Sequence, residues 1–344
     1  MNRRQALATI GGVISSVRLG ASSGSVRLEP DLAETSGAPV TRDSARQHCK
    51  GPVLFTMTPM RLREGRADVD FDGFARNMKF YASHQGAYTF AVIGNVGEYS
   101  DLTPEERERM ITIAAGAKGN RFLMAGAGGD TTRDAIAAAQ MAEKAGADAA
   151  VVLPSEVMGK GGDAALYTHY LEIAKAVGIG VIPYRQTTTL FSQDTVMRLL
   201  ELPNIIAVKE YTGDLRFIRE LSLKTAGTLP LVPPHERLAP FSFLAGASAY
   251  TSGLGNFTAP RSIELWQLLE AGKMSEAMVL ADQFAELDRL RTKYGDVLIK
   301  TGLEMRGLAG GPLRKNPAPL PAEGREALQR LMRTMGVSEP VTSQ

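Results

Sequence analysis

A chain of 344 residues is long for one domain of roughly 150 residues but fits a barrel of about 250 with appendages. With 44% hydrophobic and 22% charged residues it is not wholly disordered, collagen-like or coiled-coil, and a formal charge of +2 compels neither a nucleic acid nor a membrane surface as partner. One cysteine, Cys49, and four scattered histidines, His48, His84, His169 and His235, exclude an intrachain disulfide and a Cys/His zinc site, so no metal is expected.

Residues 1–45 combine Ser, Gly and Ala stretches with mixed charge and no sustained apolar period. They are expected to lie outside the fold and to be dispensable. Arg3 and Arg4 stand before a weakly apolar run of about a dozen residues, the layout of a twin-arginine export signal. That run is broken by Gly11 and Gly12 and is too short to span a bilayer. Export, and an unprocessed terminus on a cytoplasmic protein, both stay open at this level. No other stretch approaches a membrane-spanning apolar length.

From Gly51 onward short apolar runs alternate with amphipathic ones. The runs are 51–57, 88–94, 121–127, 148–154, 179–185, 205–210, 229–234 and 248–253, each with the near-continuous hydrophobicity of a parallel strand buried on both faces. Between them Phe71, Phe74, Met78 and Tyr81 fall on one helical stripe. Thr103-Pro104-Glu105-Glu106 reads as an N-cap with proline at the first helical position, and Thr131, Ser192 and Asp214 offer similar starts. Eight βα units close naturally into a (β/α)8 TIM barrel over residues 46–260. A doubly wound open sheet is the alternative, but no dinucleotide fingerprint or reversal point favours it. Residues 261–344 supply the last barrel helix, a helical cap with stripes at Ala277, Leu280, Phe284, Leu287 and at Leu328, Leu331, Met335, and a tail.

Two glycine-rich motifs are incomplete. GAGGD at 126–130 has Thr131 where a dinucleotide loop needs glycine, and GKGG at 159–162 lacks the flanking residues of a phosphate-binding loop. What remains is a set of strand ends, which in a barrel form the reactive mouth. In 205–210, Ile205, Ala207 and Lys209 share one face and Ile206, Val208 and Glu210 the other. If the first face points inward, Lys209 is an amine in an apolar interior, where its lowered pKa suits attack on a carbonyl; the plainer reading is a lysine leaning out to an acid. Tyr184 ends the preceding run, placing a phenol beside that amine as a proton shuttle, or else as an ordinary core aromatic. GNVGE at 94–98 puts glycines around a turn whose N–H groups can converge on a carboxylate.

The ordered set GNVGEYSDLTPEE, VIPYR, IIAVKEYTGDL, TSGLGNFTAP and IKTGLEMRGLAGGPLRKNP resembles the dihydrodipicolinate synthase/N-acetylneuraminate lyase superfamily over about residues 51–335. The resemblance implies a (β/α)8 barrel with a C-terminal helical extension, a homo-oligomer (tetramer or dimer), and a lyase that takes a small-molecule 2-oxo acid without a cofactor. It assigns the Schiff base to Lys209, the proton-relay phenol to Tyr184 and the substrate carboxylate to the turn at Asn95 and Val96. Side chains expected to set the substrate are Arg185, His235 and Ser252, with Thr187.

Departures from the synthase pattern point to a branch. Where dihydrodipicolinate synthases read GTTGE this chain has Asn95 and Val96, losing a relay hydroxyl. The arginine expected five residues after the tyrosine is Thr189, with Arg185 next to Tyr184 instead, and Ser155-Glu156 replace tyrosines after the fourth strand. The GxxGE turn, YR and GGPLR tail look more like the 5-dehydro-4-deoxyglucarate dehydratase branch. The expected activity is dehydration and decarboxylation of a keto-deoxy sugar acid. The alternatives are a pyruvate-dependent aldolase or 4-hydroxy-tetrahydrodipicolinate synthase-like condensing enzyme, and a catalytically silent binding barrel.

Overall fold

A computed structural model describes residues 40–83 and 89–341. The twin-arginine stretch and most of the expected tail 1–45 lie outside the described residues. In chain order the elements are α1 (Arg42–His48), β1 (Gly51–Phe55), β2 (Met60–Arg63), β3 (Arg66–Val69), α2 (Phe71–Ser83), β4 (Thr89–Val92), α3 (Pro104–Ala117), β5 (Leu123–Gly129), α4 (Thr132–Lys144), β6 (Ala149–Pro154), α5 (Glu156–Lys160) and α6 (Gly162–Ala176). There follow β7 (Gly180–Arg185), α7 (Gln193–Leu199), β8 (Val208–Glu210), α8 (Leu215–Lys224), β9 (Leu231–Val232), α9 (Ala239–Ala245), β10 (Ala249–Ser252), α10 (Gly255–Glu270), α11 (Met274–Tyr294), α12 (Val297–Met305) and α13 (Ala322–Thr334).

Eight strands pair in parallel in the order β10-β1-β4-β5-β6-β7-β8-β9. The Thr251 N–H, donating to the Pro233 carbonyl at 2.8 Å, links the two end strands, so the sheet is a near-closed (β/α)8 barrel with additional C-terminal helices. Each of the eight apolar runs overlaps a strand. The helix starts read from sequence also hold: Thr103, Thr131, Ser192 and Asp214 each accept a backbone N–H from the first helical turn, satisfying donors that the helix itself leaves unpaired.

Side chains sort into an interior cluster and two outer ones. Inside lie Val53, Phe55, Ala91, Met124, Val151, Ile182, Ile206, Ala207, Val232 and Ala249; outside, helix stripes such as Phe74, Met78 and Tyr81 pack against the sheet. Ile206 and Ala207 both belong to the interior cluster while Ile205 and Val208 face the outer layer. The strict alternation expected over 205–210 therefore fails at its start, because regular strand geometry begins only at Val208.

Two features were not foreseen. First, α1 begins at Arg42, inside the segment expected to be free, and closes the lower end of the barrel. Thr41 caps it through a reciprocal bond with Ser44, Ala45 and Cys49 are buried in the interior cluster, and Arg42 Nη1 donates to the carbonyls of Leu200 and Leu202 at 2.9 Å each. Second, β2 and β3 form an antiparallel hairpin around Glu64-Gly65, both at positive φ, the two-residue turn whose twist suits a hairpin.

Candidate active site

Adjacent parallel strands place Tyr184 of β7 and Lys209 of β8 in direct register. Side chains alternate across a strand, so these two point inward while their successors, Arg185 and Glu210, point out. Lys209 is buried, with its Nζ 3.9 Å from the centre of the Tyr184 ring, 4.2 Å from that of Phe55 and 5.0 Å from that of Tyr211. Three aromatic faces attract a cation but do not replace the water it has lost. Burial, helped by the nearby Arg291 charge, lowers the amine from 10.5 to about 7.

Tyr184 is fixed by the buried Tyr170, whose hydroxyl donates to the Tyr184 carbonyl and accepts its N–H, both at 3.2 Å. Its own hydroxyl lies within hydrogen-bonding reach of the Asn95 side chain. Burial first, then the Tyr211 and Glu210 charges, raises the phenol well above its usual range, so the proton stays on it at neutral pH.

The turn after β4 carries Asn95 and Val96. Ile93 and Glu98, which bracket it, both take positive φ, and a Cβ on Gly97 would stand 3.1 Å from the Thr56 carbonyl oxygen, so the bend is specified by backbone rather than by packing. The Glu98 carboxylate clamps it from behind, accepting from Lys300 Nζ at 2.5 Å and from the Arg314 N–H at 2.7 Å. Among the described residues the N–H groups of Asn95 and Val96 donate to no protein acceptor. They are available to a carboxylate.

These groups line one cavity of about 250 Å3, together with Tyr211, His235, Thr251, Gly253, Arg291 and Asp296. His235 follows β9, its backbone held at φ 55° and ψ 142°, a conformation that side-chain-bearing residues seldom take and that tends to mark functional loops. Its ring lies 5.2 Å from that of Tyr211, and burial, opposed by Asp288, keeps the imidazole neutral. The wall beside β10 is set by Asn256, whose amide satisfies four partners: it accepts from Met57 N–H and the Tyr81 hydroxyl and donates to the carbonyls of Phe55 and Gly253.

Lys209, Tyr184, Asn95, Val96 and His235 are thus brought together. Arg185 and Ser252, expected to touch substrate, are not. Arg185 stays on the outer face because β7 continues through it: Nη1 meets Glu210 Oε1 and Thr212 Oγ1 at 3.0 Å each, Nη2 lies 3.5 Å from Asp214, and the guanidinium covers the Phe217 ring at 4.2 Å. Ser252 is fully buried and donates to Glu236 Oε1 at 2.6 Å. Thr187 is exposed on the loop beyond β7.

The model of the dihydrodipicolinate synthetase family matches residues 49–335. The chain belongs to that family. It is 30% identical over 290 residues to a protein of Chelativorans sp. (strain BNC1) named "Probable 5-dehydro-4-deoxyglucarate dehydratase", covering 82% of this chain and 94% of that protein. It is 28% identical to the 4-hydroxy-tetrahydrodipicolinate synthase of Alcanivorax borkumensis, covering 84% and 99%. Among solved structures, dihydrodipicolinate synthase from Acinetobacter baumannii complexed with pyruvate superposes with a TM-score of 0.73 at 27% identity, over 84% of this chain and 99% of that one. Family membership makes the chain a lyase on a TIM barrel.

Sequence reasoning missed Arg291, Asp296, Tyr211 and Thr251. Tyr211 stood one residue past the Lys209 run, and Thr251 faces inward by the same alternation that selected Lys209, so both could have been found. Arg291 and Asp296 could not. They lie in the helical cap, and only the packing of α11 across the mouth brings a guanidinium from there to the amine.

Proposed function

We propose that Lys209 forms a Schiff base with the ketone of a 2-oxo acid and that the protein dehydrates and decarboxylates a keto-deoxy aldarate, as the name of the Chelativorans relative suggests. The observation that carries this reading is the position of the Lys209 amine: buried among Phe55, Tyr184 and Tyr211, with a pKa near 7, it is substantially neutral at working pH and able to attack.

The substrate carboxylate next to the ketone rests on the Asn95 and Val96 amides. Lys209 Nζ adds to the ketone carbon, and Tyr184, protonated in the resting site, gives its proton to the oxygen, which takes a second from the amine nitrogen and leaves as water. The iminium then acidifies the neighbouring methylene. Tyr184, now a phenolate, takes a proton from it to give an enamine, whose electron pair expels the β-hydroxyl as water with that proton returned to it, yielding an unsaturated iminium. That conjugation ends at the carbon next to the one bearing the far carboxylate. Carbon dioxide leaves as its bonding pair moves toward the iminium nitrogen, the resulting dienamine takes up a proton at carbon to restore the iminium, and hydrolysis frees the lysine. The protein supplies position and proton transfer.

A silent binding barrel has no need for a desolvated amine in register with a phenol, so that alternative loses support. The test is borohydride reduction in the presence of pyruvate or a keto-deoxy sugar acid, with peptide mapping, alongside a turnover screen with mass detection. A mass increment on Lys209, absent in Lys209→Ala, is expected. An increment on another residue, or none with any 2-oxo acid, overturns the reading.

A further inference from the structure

The cavity around Lys209 opens into a second, outer one lined by Arg237, Asp288, Thr292 and Gly295, and the two share Tyr211, His235, Arg291 and Asp296. Arg291 stands on this boundary. Its anchor is one-sided: Nε donates to Asp296 Oδ1 at 2.8 Å, which leaves the Nη edge of the fork turned elsewhere. That edge bears on Tyr211 and on Gly253, where an added Cβ would meet Nη1 at 3.4 Å. The Arg291 side chain also hydrogen-bonds Tyr211, and because Gly253 contributes no side chain, nothing from the end of β10 covers Nη1 on the cavity side. Beside it the hydroxyl of Thr251 is buried and has no hydrogen-bond partner, although it faces the same cavity. A buried hydroxyl without a partner is costly unless something else completes it.

The strand order adds direction. The Asn95–Val96 turn follows β4, and in an eight-membered ring β4 lies four places from β8, whose loop carries Tyr211. Arg291 reaches the cavity from the side of β8, β9 and β10, next to Lys209, whereas the Asn95 and Val96 amides reach it from the end of β4.

We propose that Arg291 and Thr251 form the subsite for the far end of the substrate, Arg291 taking a terminal carboxylate and Thr251 a hydroxyl, so that the site selects 2-oxo acids with a carboxylate at both ends. This rests on the Lys209 reading for the near end of the substrate, but its test does not. Asp296 offsets part of the guanidinium charge and holds it in place, so the expected selectivity is moderate. A charge-assisted pair in this setting corresponds to about tenfold in affinity.

The experiment compares 2-oxoadipate with 2-oxohexanoate, acids of equal length that differ in the terminal carboxylate, by titration calorimetry on the full chain. The wild type should bind the diacid roughly tenfold more tightly, and Arg291→Gln should bring the ratio close to one. Gly253→Asp, which places a carboxylate against Nη1 without touching the Asp296 anchor, should remove the preference too, and stands in if Arg291→Gln misfolds. Equal affinity of the wild type for both acids, or a preference that survives in both variants, overturns the proposal; so does failure to bind either acid. Borohydride trapping on the same samples separates the two readings: diacid preference without any trapped imine leaves the subsite standing and removes the Schiff base.

Discussion

Lys209 is a residue whose chemistry and stability pull in opposite directions. An ammonium that titrates near 10.5 in the unfolded chain and near 7 in the fold destabilises the native state fully below pH 7, where both forms are protonated but only the buried one lacks water. Between pH 7 and 10.5 the unfolded chain binds the extra proton, so stability rises with pH across that window and the penalty is gone above it. Lys209→Met, keeping length and discarding charge, is therefore expected to raise Tm by roughly 4 °C at pH 6, corresponding to about 1–2 kcal/mol after the aromatic contacts are discounted. The gain should shrink by pH 10, and thermal melts at the two pH values check it. Tyr184→Phe removes only the hydroxyl. Its loss should lower kcat by about 10² to 10⁴ with KM little changed, measured by steady-state turnover; an unaltered kcat returns Tyr184 to the core. Both residues could be picked out from sequence because alternation at a strand end decides which face a side chain takes. Arg185 shows the limit of that rule. Its outward direction followed from the same alternation, but whether β7 stopped before it depended on Glu210 and Asp214 waiting on the other side of the strand.

At the scale of elements, the eight strands were legible because a buried parallel strand must be apolar on both faces, and the capped helix starts because a hydroxyl or carboxylate is needed where four N–H groups lack partners. The hairpin of β2 and β3 was not, since three of the four β2 residues are exposed and offer no apolar run. Helix α1 escaped for a related reason: seven residues with one buried side chain, Ala45, carry no amphipathic period. Its hold is polar. Arg42 satisfies carbonyls at the end of α7 and in the loop before β8, and the Cys49 and His48 carbonyls accept from Ser248 and Thr89. The expectation that residues 1–45 are dispensable thus divides at the start of α1. A chain beginning at Pro39 should melt like the full-length protein, whereas one beginning at Arg46 should lose about 2–3 kcal/mol from the vacated carbonyls and the opened barrel end, or roughly 5 °C or more in Tm. Differential scanning calorimetry of the two truncations distinguishes them, and equal melting temperatures would show that α1 closes nothing.

For the molecule as a whole the decisive question is where positive charge stands around the mouth. A condensing synthase must hold a second substrate, aspartate semialdehyde, by its carboxylate while the enamine on the lysine attacks it, and a charged fork is roughly twice as strong a donor as a neutral group. On the β7 side this barrel has no free fork. Arg185 is consumed by Glu210, Thr212 and Asp214 behind the sheet, and Thr189 is neutral, with its buried hydroxyl unpartnered. The guanidinium that does reach the cavity arrives from α11 on the β8–β10 side, where it meets the far end of a molecule already bound to Lys209. That arrangement suits one long substrate better than two short ones. The purified protein is therefore expected to make the lysine precursor from pyruvate and aspartate semialdehyde at least about 10²-fold more slowly than it consumes a keto-deoxy aldarate, a difference equivalent to roughly one lost charge-assisted contact in the transition state. Parallel kcat/KM measurements on the two reactions decide it: comparable values would move the chain to the synthase branch of its family while leaving the Lys209 chemistry untouched.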